Sequence, residues 1–292
     1  MATYDFMGQT LYYDNRLYRY WQKNSLPILK KTNSDRVLPV DGRERTGKSM
    51  FVVQQAALID PDMFKDIPTF LSRICFTPDE FFNAVRTVKN GVIIFDEAFR
   101  GFSSRSALSK TNKRLIQALM EMGQNNNIVF IVLPSFFLLD IYPAMLRSDA
   151  LFNIYQDKKS KKRCWRAYNK SDKNKIYQMG IKKGWTYAFG SRLKGVFYNK
   201  FPGGEEYERA YLDKKHKALV EMDKEYVNEE PDNKYIIQRD ILIRSIMKTL
   251  NLSQTDMVDW LNERDITLSQ PALSKILWKN MEIKVKPMSI TA

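Results

Sequence analysis

The stretch "VLPVDGRERTGKSMFVV", residues 37 to 53, decides how the fold is read. Val37, Leu38 and Val40 form a short apolar strand, and "KSMFVVQQAALI" beyond the loop reads as a helix. Between them Gly42, Gly47, Lys48 and Ser49 satisfy the spacing G-x-x-x-x-G-K-S/T. In such a turn backbone N–H groups face phosphate oxygens, while the lysine and the hydroxyl serve phosphate and magnesium. A helix opening directly behind the loop adds its unpaired amides and the positive end of its dipole. Arg43, Glu44, Arg45 and Thr46 fill the interior, where many such loops carry a further glycine. The predicted cradle is Gly42 to Ser49.

A second apolar strand, Val92 to Phe95 in "GVIIFDEAF", ends in Asp96 and Glu97. A parallel strand would carry both carboxylates to the carboxyl edge of the sheet, beside the loop. The pair could also simply end a strand and cap the next helix. Following a phosphate loop, it is assigned to chemistry: Asp96 holds Mg2+ through water with Ser49 on the other side, and Glu97 orients or deprotonates the attacking water. ATP and Mg2+ are the expected ligands. Ser135, just beyond "IVFIVLP", is the positional candidate for a polar sensor. Arg100, Arg105 and Arg147 are candidates for a positive charge against the transition state, with ordinary surface ion pairing as the alternative for each. An arginine such as Arg147 contributed by a neighbouring copy would require a homo-oligomer.

The elements around these motifs alternate. "RICF" at 73–76 reads as a strand, and "TPDE" at 77–80 as a capped helix start with proline in the first turn. "ALSKTNKRLIQALMEMGQ" reads as a helix, "IVFIVL" as a buried strand and "ALFNIY" as another. Continuous apolar strands alternating with helices predict an α/β fold whose mostly parallel sheet is buried on both faces. "KRCWRAYNK" and "NKIYQMGIKKGW" suggest hairpins extending that sheet, and "EEYERAYLDKKHKALVEMDKEY" a charged helix before the linker "VNEEPDN".

The chain has 292 residues, 44% of them hydrophobic, and a formal charge of +14. Its charge is concentrated: Asp157 to Lys200 holds fourteen Lys or Arg against Asp157 and Asp172. With Trp165, Tyr168, Tyr177, Trp185 and Tyr187 interleaved, the segment 158–200 is read as a phosphate track for DNA, with aromatic faces for bases. The alternative is a solvated face whose aromatics pack inward. Cys75, Cys164 and the single His216 exclude a disulfide scaffold or zinc site and point to a reducing, cytoplasmic or virion-associated location. No apolar run reaches the length of a membrane span.

Residues 36 to 156, through "DGRERTGKS", "IIFDEAF" and "NNNIVFIVLPSFFLLDIYPAMLRSDALFNIY", resemble the additional-strand, catalytic-glutamate (ASCE) division of P-loop ATPases. Within it they are most similar to HerA/FtsK-type motors and the Zot/gene I ATPases of filamentous phages. Those relatives often carry glutamine where this chain has Pro134 and Ser135.

From Lys234 onward short helices recur, with Met257, Val258, Leu261, Leu273, Ile276 and Leu277 directed inward. Gln270, Ser274, Lys275 and Lys279 would stand exposed on the last helix, where such residues reach base edges and phosphates. "SQTDMVDWLNERDITLSQPALSKILWKNMEIKVKP" resembles the winged helix-turn-helix of arginine repressors, which implies DNA binding; a small protein-docking module is the alternative.

The expected organisation is an ATPase domain over 1–156, a basic β extension over 157–202, a charged helix and linker over 203–232, and a winged helix-turn-helix domain over 233–292. The expected function is ATP hydrolysis by an oligomeric viral or mobile-element motor that translocates, packages or transfers DNA. The alternative is an ATP-switched DNA-binding regulator, or a partition or transposition helper, without translocation.

Overall fold

The strands predicted beside the loop are apolar at almost every position and are buried on both sides. The computed structural model describes residues 1–96, 110–184, 186–187, 193–228, 234–264 and 269–278. It divides into two units, Met1–Glu221 and Met222–Ala292.

The first unit opens with an antiparallel hairpin, β1 (Ala2–Phe6) and β2 (Gln9–Tyr13). Two short helices follow, α1 (Asn15–Arg19) and α2 (Leu26–Thr32). Next come β3 (Arg36–Asp41), α3 (Lys48–Ile59), α4 (Ile67–Ser72), β4 (Ile74–Cys75), α5 (Pro78–Thr87) and β5 (Val92–Phe95). After these are α6 (Lys110–Glu121), β6 (Ile128–Leu133), β7 (Ala150–Gln156), β8 (Arg163–Asn169), α7 (Lys170–Lys182) and β9 (Leu193–Val196), and α8 (Gly204–Asn228) begins in this unit and continues past Glu221.

Seven strands share one sheet in the order β4-β5-β6-β3-β7-β8-β9. The first five run parallel, and β8 and β9 continue the sheet antiparallel beyond β7. Alternate side chains serve opposite faces. Val37, Ile93, Phe95, Val129, Ile131 and Leu133 join one core with Phe81 and Val85 of α5, Leu115 and Leu119 of α6, and Ile176 of α7. Across the sheet, Phe51 of α3 packs on Phe152 and Trp165, and Trp21 packs on Phe130. This is a helix-covered α/β fold with a mostly parallel sheet.

Local signals account for several boundaries. Thr77 and Glu80 form the predicted capping box of α5, with Pro78 in its first turn. The N-terminal hairpin, which no sequence signal singled out, rests on α3: the Tyr13 hydroxyl donates to the Gln54 carbonyl at 2.6 Å, and Phe6 meets Phe64 edge-on.

The basic extension departs from expectation. "KRCWRAYNK" is a strand, β8, but the expected hairpin in "NKIYQMGIKKGW" is largely the helix α7. Asn169 caps that helix by accepting from the Asp172 amide, and Lys173, Ile176, Tyr177 and Gly180 form its buried side. Gly180 is there because an added Cβ would lie 2.3 Å from the Phe137 ring. The aromatic assignment is corrected as well. Trp165, Tyr168 and Tyr177 are buried at 0%, 1% and 7% exposure and cannot offer faces to bases, whereas Lys158, Lys159, Lys161, Lys162, Lys170 and Lys175 are exposed.

In the second unit α9 (Lys234–Leu250), α10 (Gln254–Asn262) and α11 (Gln270–Trp278) enclose Ile243, Met257, Leu261, Leu273 and Ile276. Ser253 and Asp256 form a capping box at the start of α10. Gln270 is exposed and Ser274 half-buried on α11, which also carries Lys275. Lys279, the wing sequence and Trp185 lie outside the described residues, as do Glu97, Arg100 and Arg105. Among the described residues no helix is long and apolar enough to cross a membrane.

Candidate nucleotide site

Strand β3 delivers the chain to the carboxyl edge of the sheet, where Asp41 is followed by the loop 42–47 and then by α3. Gly42 has φ +149°, Arg45 +61° and Gly47 +92°, so the loop repeatedly enters backbone regions that ordinary residues avoid. Arg45 takes a left-handed position where glycine would be less strained. Gly42 is required for space, because a Cβ there would lie 2.1 Å from the Ile154 carbonyl oxygen on β7. The Thr46 hydroxyl donates to the Arg43 carbonyl at 2.7 Å and closes the turn. The Lys48 ammonium lies across the loop, donating to the Gly42 and Arg43 carbonyls at 2.8 and 3.0 Å.

Strand β5, two places from β3 in the sheet, carries Asp96 to the same edge. The Ser49 hydroxyl donates to Asp96 Oδ2 at 2.8 Å, which brings together the two residues predicted to flank a metal. A cavity of about 400 Å3 opens here, lined by Glu44, Arg45, Gly47, Lys48, Ser49, Met50, Asp96, Val132, Leu133, Pro134 and Lys215. Its floor is the loop and the first turn of α3, whose leading amides have no acceptor within the helix itself.

Several neighbours carried no motif. From β8 Arg163 lies against the loop: a Cβ on Gly47 would come within 3.1 to 3.3 Å of its Cδ, Nη1 and Nε. The same guanidinium is held by Asn199 Oδ1. From α8 the Tyr211 hydroxyl donates to Asp96, and Lys215 Nζ lies 3.5 Å from Asp96 Oδ2. The period was available in "EEYERAYLDKKHKAL", where Tyr207, Tyr211 and Ala218 share the buried side of an otherwise charged helix.

Asp41 lies beneath the loop and is fully buried. Its carboxylate accepts from Tyr187 Oη, from Asn153 Nδ2 at 2.9 Å and from the Phe136 amide at 3.0 Å. Burial pushes its carboxyl up to about 6; the hydrogen bonds from Tyr187, Asn153 and Phe136 and the charge of Lys48 pull the other way. Ser135 stands beside this cluster, one residue before Phe136, and interacts with the Tyr187 hydroxyl.

Arg147 is not brought to the cavity. It precedes β7, so it lies at the amino edge of the sheet, where its guanidinium pairs with Asp35 and donates to the Leu119 carbonyl at 2.8 Å. The chain direction of a parallel strand puts that position at the end opposite the loop.

No family model and no curated protein matches the chain. Among solved structures it is similar to the N-terminal domain of zonular occludens toxin from Neisseria meningitidis, at 15% identity over 56% of this chain and 94% of that one, with a TM-score of 0.38. The genome packaging NTPase B204 of Sulfolobus turreted icosahedral virus 2, in complex with ATP-gammaS, is 12% identical over 48% of this chain and 94% of that one, TM-score 0.33. The DNA-packaging ATPase B204 of Sulfolobus turreted icosahedral virus is 11% identical over 57% and 98%, TM-score 0.32. At such identities and TM-scores, activity must be argued from this chain's own residues.

Proposed function

We propose that this chain hydrolyses ATP and applies the energy to DNA, as an oligomeric motor that translocates, packages or transfers it. The observation that carries the reading is the 2.8 Å contact between Ser49 and Asp96 at the mouth of a strand–loop–helix cradle. The loop amides and the first turn of α3 would hold the phosphates, and Lys48 would exchange its two carbonyl partners for phosphate oxygens. Ser49 and Asp96 are hard oxygen donors, the set that suits Mg2+ held partly through water. When bound, the ion would neutralise charge on the β- and γ-phosphate oxygens. Glu97, the next residue along the chain, is proposed to take the proton of the attacking water, and Ser135 to act as the polar sensor. Arg163 would add positive charge on the β8 side of the loop. Support for a nucleic acid partner comes from the exposed lysines of 158–200 and, in the second unit, from Gln270 exposed on α11.

Turnover of ATP measured with and without single- and double-stranded DNA tests the reading. Stimulation by DNA, with Lys48→Ala abolishing nucleotide binding, is expected. Glu97→Gln should keep ATP and lose at least about a hundredfold in turnover. Absence of ATPase activity under all three conditions would refute it, and slow turnover with ATP-dependent operator binding would favour the switch over the motor.

A further inference from the structure

The cavity beside the loop receives a charge from outside the strand–loop–helix unit, because Lys215 of α8 lines it together with Lys48 and Ser49. Helix α8 is fastened at this point. The Tyr207 hydroxyl donates to the Phe64 carbonyl at 2.7 Å. The neighbouring Lys214 donates to the Leu71 and Ile74 carbonyls at 2.9 and 2.6 Å and pairs with Glu80 at 2.9 Å. Lys214 thus ties the helix to the β4 edge of the sheet, and Lys215, beside it, lines the cavity and approaches Asp96.

We propose that Lys215 is a substrate-contacting residue that binds the terminal phosphoryl group of a nucleoside triphosphate, supplied by the same chain that supplies the loop. The proposal rests on reading this cavity as the nucleotide site. Asp96 lies next to the place where the outer phosphates of a nucleotide gripped by Lys48 and Ser49 would end, and Lys215 approaches that carboxylate. Its 3.5 Å separation from Asp96 is an ion pair, longer than a well-formed hydrogen bond. Asp96 also accepts from Ser49 and Tyr211, so the lysine is one of several donors to it. The lining charges point the same way. Among the described lining residues Arg45, Lys48 and Lys215 outnumber Glu44 and Asp96. A cavity that takes a polyanion needs that excess, and a partly water-excluded site strengthens it. Contact with the terminal phosphoryl makes Lys215 a discriminator between triphosphate and diphosphate.

The test uses the full chain with Mg2+, titrated with ADP and with a non-hydrolysable ATP analogue, for wild type, Lys215→Met and Lys215→Arg. Wild type should prefer the triphosphate. Lys215→Met should weaken analogue binding by at least about tenfold, the scale of one charge-assisted hydrogen bond, while ADP stays within about twofold. Lys215→Arg should restore most of the preference. A role confined to supporting Asp96 would instead change both nucleotides together with the thermal midpoint, and that result, or no change in either affinity, overturns the assignment. A folded wild type that binds neither nucleotide would overturn the reading of the site as well. Should Lys215→Met fail to fold, Lys215→Gln, which removes the charge and keeps a polar side chain, takes its place: a loss of at least about tenfold for the analogue with ADP within about twofold supports the contact, and unaltered affinities for both overturn it.

Discussion

Replacing Gly42 by alanine should damage the site through the backbone. The new Cβ would lie 2.1 Å from the Ile154 carbonyl oxygen and 3.0 Å from its carbon, and φ at this position is +149°. The obstructing atoms belong to β7, so no side-chain rotation relieves the clash. Instead β3 and β7 must move apart where Val40 pairs with Phe152 and Asp41 with Asn153. Overpacking of this kind costs about 1 to 3 kcal/mol, and the unsuitable backbone angle adds roughly 1 kcal/mol. Gly8→Ala is the matched control, because its φ of +72° is also unfavourable but nothing lies within 4 Å of the added carbon. Urea unfolding followed by tryptophan fluorescence, with ATP titration of the native protein, gives both readouts. Gly42→Ala should unfold at clearly lower urea than Gly8→Ala and bind nucleotide at least about tenfold more weakly, since about 1.4 kcal/mol of distortion at the loop suffices for that. Equal midpoints and equal affinities in the two variants would refute the argument.

Asp41 should make stability fall with pH. Its folded-state pKa of about 6 stands above the ordinary 3.8, so its contribution is fully present below pH 3.8 and is lost as pH rises through 6. Asp41→Asn lacks this dependence, and its unfolding free energy should gain on wild type by on the order of 2 kcal/mol between pH 4 and 6.5; parallel profiles would show that Asp41 titrates normally. Arg147→Ala breaks a mostly buried pair with Asp35 at the far edge of the sheet and should lower stability by about 3 kcal/mol. Its turnover per folded molecule should be unchanged, and a specific loss of turnover at constant stability would return Arg147 to the chemistry of a neighbouring subunit's site.

The parallel core could be read from the sequence because its signals are local: apolar runs, a glycine-lysine-serine turn, a Thr-Pro-Asp-Glu helix start. The same holds for Ser49 and Asp96, which a strand and a loop deliver with little choice of direction. The parts that could not be read depend on contacts between distant segments. In α7, Ile176, Met179 and Ile181 mixed with polar residues look like strand alternation, and Gly180 looks like a turn; the helix follows from the Asn169 cap and from burial of Lys173, Ile176 and Tyr177 on one side, and the Phe137 ring accounts for the glycine. Trp165 and Tyr168 lie on opposite faces of β8 and both faces are covered, as is the side of α7 that carries Tyr177, so none of the three is left for a ligand. No local motif marks Arg163 or Lys215 as a neighbour of this site, because Arg163 reaches the loop, and Lys215 the cavity, from elements added after the five parallel strands.

The position of β3 in the sheet has a consequence for how the chain must be made. Val40 pairs with Val132 on one side and Phe152 on the other, both far later in the sequence. During synthesis the loop-bearing strand therefore emerges long before either neighbour exists, and closing such distant pairs is slow. Until β7 has left the ribosome, β3 remains an unpaired apolar edge of the kind that chaperones shield and aggregates recruit. Chains cut anywhere before Gln156 should accordingly be insoluble, so the loop and its flanking residues come together only when most of the first unit has been synthesised.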